Sequence, residues 1–143
     1  MAKRIAGWGL IAVAFAVAIH TVIEPLYHVS TAAQPYSPFW MILDPFMVVA
    51  LVAGTIFAYQ RKRAVDREGN DAPVSRAYIA ANTLFYGFLG IGILLFWSYL
   101  NLLNPGYAPT GADAESVIWM LIDATLPLLL GAQGFHLVRA GAS

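Results

Sequence analysis

The chain has 143 residues, 59% hydrophobic and 11% charged, and its eight basic and eight acidic side chains cancel to no net charge. An average soluble domain carries about 25% charged residues, so a soluble fold of this size would lack the polar surface to cover its core. The absence of cysteine excludes disulfides, thiolate metal sites and thiol catalysis, and no basic tract beyond one short loop suits nucleic acid, so no nucleic-acid partner is expected.

A membrane-spanning helix needs about 20 mostly apolar residues, since the hydrocarbon core is about 30 Å thick and each residue rises about 1.5 Å. Four stretches meet that length. The first runs from about Ile5 to Ile23, behind Lys3-Arg4, and Pro25 is expected to close it. Together with Ser30-Thr31-Ala32-Ala33 it resembles a secretory signal, but it exceeds the usual core of about 7–15 residues and carries His20 and Glu24 near its end, which favours a retained span. Gln34-Pro35-Tyr36-Ser37-Pro38 reads as a turn before the second stretch, from Phe39 to Tyr59. Asp66 to Pro73 interrupts before the third and most apolar, Tyr78 to Leu103, for which Ser75 is the expected N-cap. Asn104-Pro105-Gly106-Tyr107-Ala108-Pro109-Thr110-Gly111 then leads to the fourth, Val117 to Val138. The predicted class is all-α: one polytopic transmembrane domain over residues 1–143, four helices in an up-down-up-down bundle.

The charges are segregated. Lys3, Arg4, Arg61, Lys62, Arg63, Arg67, Arg76 and Arg139 all fall on one side of the predicted membrane, and the loops 24–38 and 104–116 contain no Lys or Arg. Positive-inside bias therefore places both termini and the middle loop in the cytoplasm of a cell (inner) membrane. Arg61, Lys62, Arg63 and Arg67 are candidates for anionic lipid headgroups, at about 1 kcal/mol each. Trp8, Tyr59 and Tyr78 would mark the inner interface; Trp40, Trp119, Tyr27, Tyr36 and Tyr107 would mark the outer one.

One stretch occurs twice. Trp40-Met41-Ile42-Leu43-Asp44 returns as Trp119-Met120-Leu121-Ile122-Asp123, and Glu24-Pro25-Leu26-Tyr27 is answered by Asn104-Pro105-Gly106-Tyr107. The echo predicts two tandem helical hairpins, residues 1–60 and 78–139, related by an axis along the membrane normal. The competing reading is that Trp and Pro recur at outer interfaces in any case. The echo is incomplete: His20 aligns with Leu100, Glu24 with Asn104, Gly54 with Gln133 and Phe57 with His136. Ala12-x3-Ala16 and Ala14-x3-Ala18 are packing signals, as are Gly87, Gly90, Gly92, Gly131 and Gly134.

Asp44 and Asp123 lie at matched depth, about 7 Å inside the outer interface by helical rise. A carboxylate there costs a few kcal/mol unless it is paired, protonated or wet. Pro45 follows Asp44 directly, and Pro127 removes the donor for the Asp123 carbonyl. His20, Glu24 and His28 are spaced by four, so the first two share a helical face. His20, Glu24, Asp44 and Asp123 form the candidate intramembrane polar cluster. With His28 they are the candidate ligands for Zn, Cu, Mn or Fe. A proton relay and an interhelical hydrogen-bond network are the other readings of the same residues. No HExxH or Glu-x-x-His pair occurs.

His136 lies near the inner face, about 15–20 Å in depth from His20, so the two cannot ligate one haem within the same monomer, and His136 reads as a snorkelling residue. Phe85, Tyr86, Phe88, Phe96, Trp97 and Tyr99 are expected to face lipid, a partner or a bound pigment, quinone or sterol. No motif specifies a cofactor or a catalytic centre. Small size, short loops and the aromatic surface make a non-catalytic accessory subunit of a larger membrane complex the first expectation, with the bilayer and a larger protein or a second copy as partners. A small oligomeric proton- or cation-coupled transporter using Asp44 and Asp123 is the alternative, and an outer-face metal-binding membrane enzyme the third.

Overall fold

The computed structural model describes residues 1–67, 74–104, 106 and 111–141. Tyr107 and most of the loop before the fourth span therefore lie outside the described residues, as do residues 68–73 of the middle loop. The described chain forms four helices: α1 (Ala2–Tyr27), α2 (Trp40–Asp66), α3 (Arg76–Leu103) and α4 (Ala112–Ala140). All four are long and apolar enough to cross a membrane. This is an all-α, multi-pass membrane architecture. A helix suits that solvent because it satisfies its backbone polar groups within its own segment.

The helix ends follow local chemistry. Pro25 does not close α1, which continues to Tyr27. A proline that late removes only the donor to the Thr21 carbonyl, and the His28 N–H still reaches the Glu24 carbonyl at 2.9 Å. Ser75 caps α3 as expected, its hydroxyl accepting from the Tyr78 N–H at 3.1 Å. Helix α4 starts at Ala112, ahead of the apolar run, with Asp113 and Glu115 in the first turn where the helix dipole favours acids.

Helix α1 packs chiefly along α4 and α2 along α3, while α2 and α4 also meet across the bundle. Contacts run in opposite directions along neighbouring helices. Gly7, near the start of α1, meets Gly134, near the end of α4, and Leu51, Gly54 and Tyr59 of α2 meet Gly92, Phe88 and Phe85 of α3 in turn. The tightest approach is at the two glycines. A Cβ on Gly7 would stand 2.8 Å from the Gly134 carbonyl oxygen, and one on Gly134 would stand 2.7 Å from that of Gly7. Backbones approach this closely only where small residues face each other.

The packing corrects two sequence expectations. Ala14 is buried, but Ala12 and Ala16 are exposed, so that alanine pair faces away from the bundle. Gly90 and Gly131 likewise face open space. Phe88 is not part of an outward aromatic face: it is fully buried, its ring lying where a Cβ on Gly54 would be only 2.7 Å away. Mid-bundle, Val17, Met47, Leu51, Leu95, Leu126 and Leu130 form a continuous buried apolar layer.

Candidate functional site

In each echoed stretch the tryptophan precedes the aspartate by four residues, which puts both on one helical face. Both stretches line the same cleft, of about 450 Å³, at the end of the bundle opposite the basic residues. Helix α2 contributes Trp40, Met41 and Asp44; α4 contributes Glu115, Ser116, Trp119, Met120 and Asp123. Helix α1 adds Thr21 and Glu24, the segment 33–38 forms a wall, and α3 supplies only Leu102.

That wall is built by hydrogen bonds. Glu24 Oε1 accepts from the Ser37 N–H at 2.6 Å, and its Oε2 accepts from the Trp40 indole N–H at 2.9 Å. Ser37 is buried, its hydroxyl oxygen accepting from Tyr27 Oη–H at 3.0 Å and from the Phe39 N–H at 3.3 Å. Tyr36 and Ser116 share a hydroxyl–hydroxyl bond of 2.6 Å that ties the segment to α4. Helix α2 begins at Trp40, and Phe39 before it gives no side-chain cap. Its first four N–H groups bond instead to the carbonyls of Ser37, Pro38 and Phe39, so Glu24 serves the Ser37 amide and the Trp40 indole rather than the helix start. Sequence reasoning missed the Glu24–Ser37–Trp40 clamp and the Tyr36–Ser116 tie; neither follows from a spacing or a motif.

Asp44 and Asp123 are differently placed. They are 6% and 8% exposed, and Oδ1 of each is buried with no hydrogen-bond partner. An unmet buried acceptor costs about 1–3 kcal/mol, more when charged. The cleft lining contains no Lys, Arg or His among the described residues. The backbone adds further acceptors. Pro25, Pro45 and Pro127 lie inside helices, each four residues after Thr21, Met41 and Asp123, and each removes the N–H that would bond that residue's carbonyl. All three carbonyls belong to residues lining the cleft. Ser98 of α3 has a buried hydroxyl without a partner; Gly92 packs on Leu51, and about 9 Å of further helical rise brings Ser98 to the level of Asp44.

The cluster read from sequence is thus divided. Glu24, Asp44 and Asp123 line one cleft, whereas His20 turns to the other flank of α1. There its Nδ1 lies 3.0 Å from Tyr27 Oη, its ring is 4.5 Å from Trp40 and 5.2 Å from Phe39, and it lines a shallow apolar groove with Ile23 and Ile42. His28 leaves α1 in extended conformation, its Nε2 buried without a partner, and lines neither recess. Among the described residues no three His, Cys, Asp or Glu side chains stand close enough to hold one metal ion, so the five candidate ligands are not gathered into a ligand set.

At the opposite end, Lys62 donates to Asp66 one turn away, Arg61 is half-buried, and Arg63 and Arg67 are exposed. His136 is half-buried within electrostatic range of Arg61 and Lys3, at the far end of the bundle from His20. Compared with protein-family models, curated proteins and solved structures, the chain matches none of them.

Proposed function

We propose that this small integral membrane protein takes positive charge into the cleft between α1, α2 and α4, in the manner of a small proton- or cation-coupled transporter, with Asp44 and Asp123 as the charge-accepting groups. One observation carries the reading. The two echoed stretches bring two nine-tenths-buried carboxylates with unpartnered oxygens to one cleft that has no basic residue in its lining among the described residues. Acids on a low-dielectric wall without counter-charge attract cations and concentrate them. Positive-inside bias sets this cleft on the outer face and both termini in the cytoplasm of the cell (inner) membrane. The buried apolar layer beneath the aspartates makes this a state open to one side, and passage would require that layer to part.

The test is flux. In vesicles of phosphatidylglycerol and phosphatidylcholine, proton and potassium fluxes are followed with the wild-type chain and with Asp44→Asn/Asp123→Asn. Loss of flux in the double variant supports the reading, and unchanged flux removes it.

A second reading, an accessory subunit of a larger membrane complex or a homo-oligomer, is favoured by the same closed layer and by the exposed apolar side chains Tyr86, Ile93 and Leu100 along α3. Co-purification with a larger partner in mild detergent supports it. A particle of this chain alone that moves cations counts against it.

A further inference from the structure

We infer that the cleft binds a protonated primary aliphatic amine, its ammonium group donating to Asp44 and Asp123 and its alkyl part lying between Trp40 and Trp119. The inference deepens the cation-binding reading above and rests on it. Glu24 cannot be the principal partner, because both of its oxygens already accept bonds from Ser37 and Trp40. The deeply buried carboxylates without a hydrogen bond are those of Asp44 and Asp123, both lining the cleft. Glu115 also lines it but is only half-buried, on the first turn of α4. Pro25, Pro45 and Pro127 remove the usual donors of the Thr21, Met41 and Asp123 carbonyls.

Three cation classes compete for such a site. A bare metal ion needs several oxygen ligands at short range, and no group of three acidic or imidazole side chains is gathered among the described residues. Its volume also fits poorly: the cleft is about 450 Å³, against about 30 Å³ for one water. A quaternary ammonium would fill the space but carries no N–H, and would leave both carboxylates without a hydrogen bond. A primary ammonium supplies three donors on a compact charged head, and its chain suits the Trp and Met side chains at the mouth. Tryptophan faces also attract cations directly. The same chemistry is carried by a free amine and by an ethanolamine lipid headgroup.

The test uses the purified full chain in phosphatidylglycerol nanodiscs, with intrinsic tryptophan fluorescence as readout, since Trp40 and Trp119 line the cleft. The probes are propylammonium, tetramethylammonium, potassium and magnesium. A saturable response to propylammonium is expected, at least about tenfold tighter than to tetramethylammonium, the ratio that one lost hydrogen bond to a charged group provides. The response should vanish in Asp44→Asn/Asp123→Asn with helical circular dichroism unchanged, and should weaken in Trp119→Leu, a half-buried residue at the mouth.

If potassium or magnesium binds as tightly as propylammonium, or tetramethylammonium more tightly, the amine inference falls while cation binding stands. If no cation produces a response that depends on the two aspartates, both fall. Phosphatidylethanolamine added to the nanodiscs separates the sources: competition with propylammonium identifies a headgroup, and its absence identifies a free amine.

Discussion

Glu24 of α1 holds the indole N–H of Trp40 at 2.9 Å, and Trp40 stands one helical turn above Asp44 on the same face of α2. One half of the echoed pair is thus positioned from α1. The other half, Trp119 above Asp123, is tied instead through Ser116 to Tyr36 of the loop. This asymmetry has a sequence counterpart, because the position matching Glu24 in the second half is Asn104. The two tryptophan–aspartate pairs share a cleft, but different devices hold them there.

The clamp is the first thing to test. In Glu24→Gln the side chain keeps one acceptor oxygen and turns an NH2 group toward a second N–H donor. One of the two charge-assisted bonds is lost, at about 1.5–3 kcal/mol. Hydrogen exchange at the Ser37 amide should accelerate while exchange in the middle of α2 does not. An unchanged Ser37 rate would show that the carboxylate does not hold the loop.

Much of this fold was legible in the sequence because four apolar runs of spanning length have one solution in lipid. Ser75 was readable for the same kind of local reason: its hydroxyl sits where a helix start needs an acceptor. Helix rotation was not legible. When a helix is apolar on nearly every face, its pattern does not say which stripe turns inward. Hence Ala12 and Ala16 were expected at an interface they do not reach, Phe88 was expected outside the core, and the Gly7–Gly134 contact went unforeseen. The division between His20 and Glu24 has the same origin. Residues four apart share a face only to within about 40°, enough for α2 to separate them onto its two flanks.

The Gly7–Gly134 approach predicts a sharp positional contrast. Gly134→Ala puts a Cβ 2.7 Å from a backbone oxygen, so α1 and α4 must move apart, at about 1–3 kcal/mol. Gly131→Ala meets nothing within 4 Å and should gain up to about 1 kcal/mol from helix propensity. Thermal melting of the helical signal in mild detergent should rank Gly131→Ala above wild type and Gly134→Ala below it. Equal stability of the two variants would place the helix contact elsewhere.

Gln133 is fully buried in α4, and neither of its amide atoms has a hydrogen-bond partner. Replacing such a group with an apolar one of similar shape should be neutral or stabilising, by up to about 1–3 kcal/mol. Gln133→Leu should therefore melt at or above the wild-type temperature. A clear loss of stability would mean that the amide has a partner in the bilayer-embedded protein.

The central claim is that the two Trp-Met-x-x-Asp stretches close on one cleft. The chain has no cysteine, so cysteines can be placed singly or in pairs without background. Met41 and Met120 are exposed at the mouth, while Leu128 lies on the outward side of α4. In membranes, a short bismaleimide should join Met41→Cys to Met120→Cys within one chain, and propylammonium should slow that reaction. Met41→Cys with Leu128→Cys should remain unjoined. Efficient joining of the second pair, or failure of the first, would contradict the shared cleft and the charge-binding role built on it.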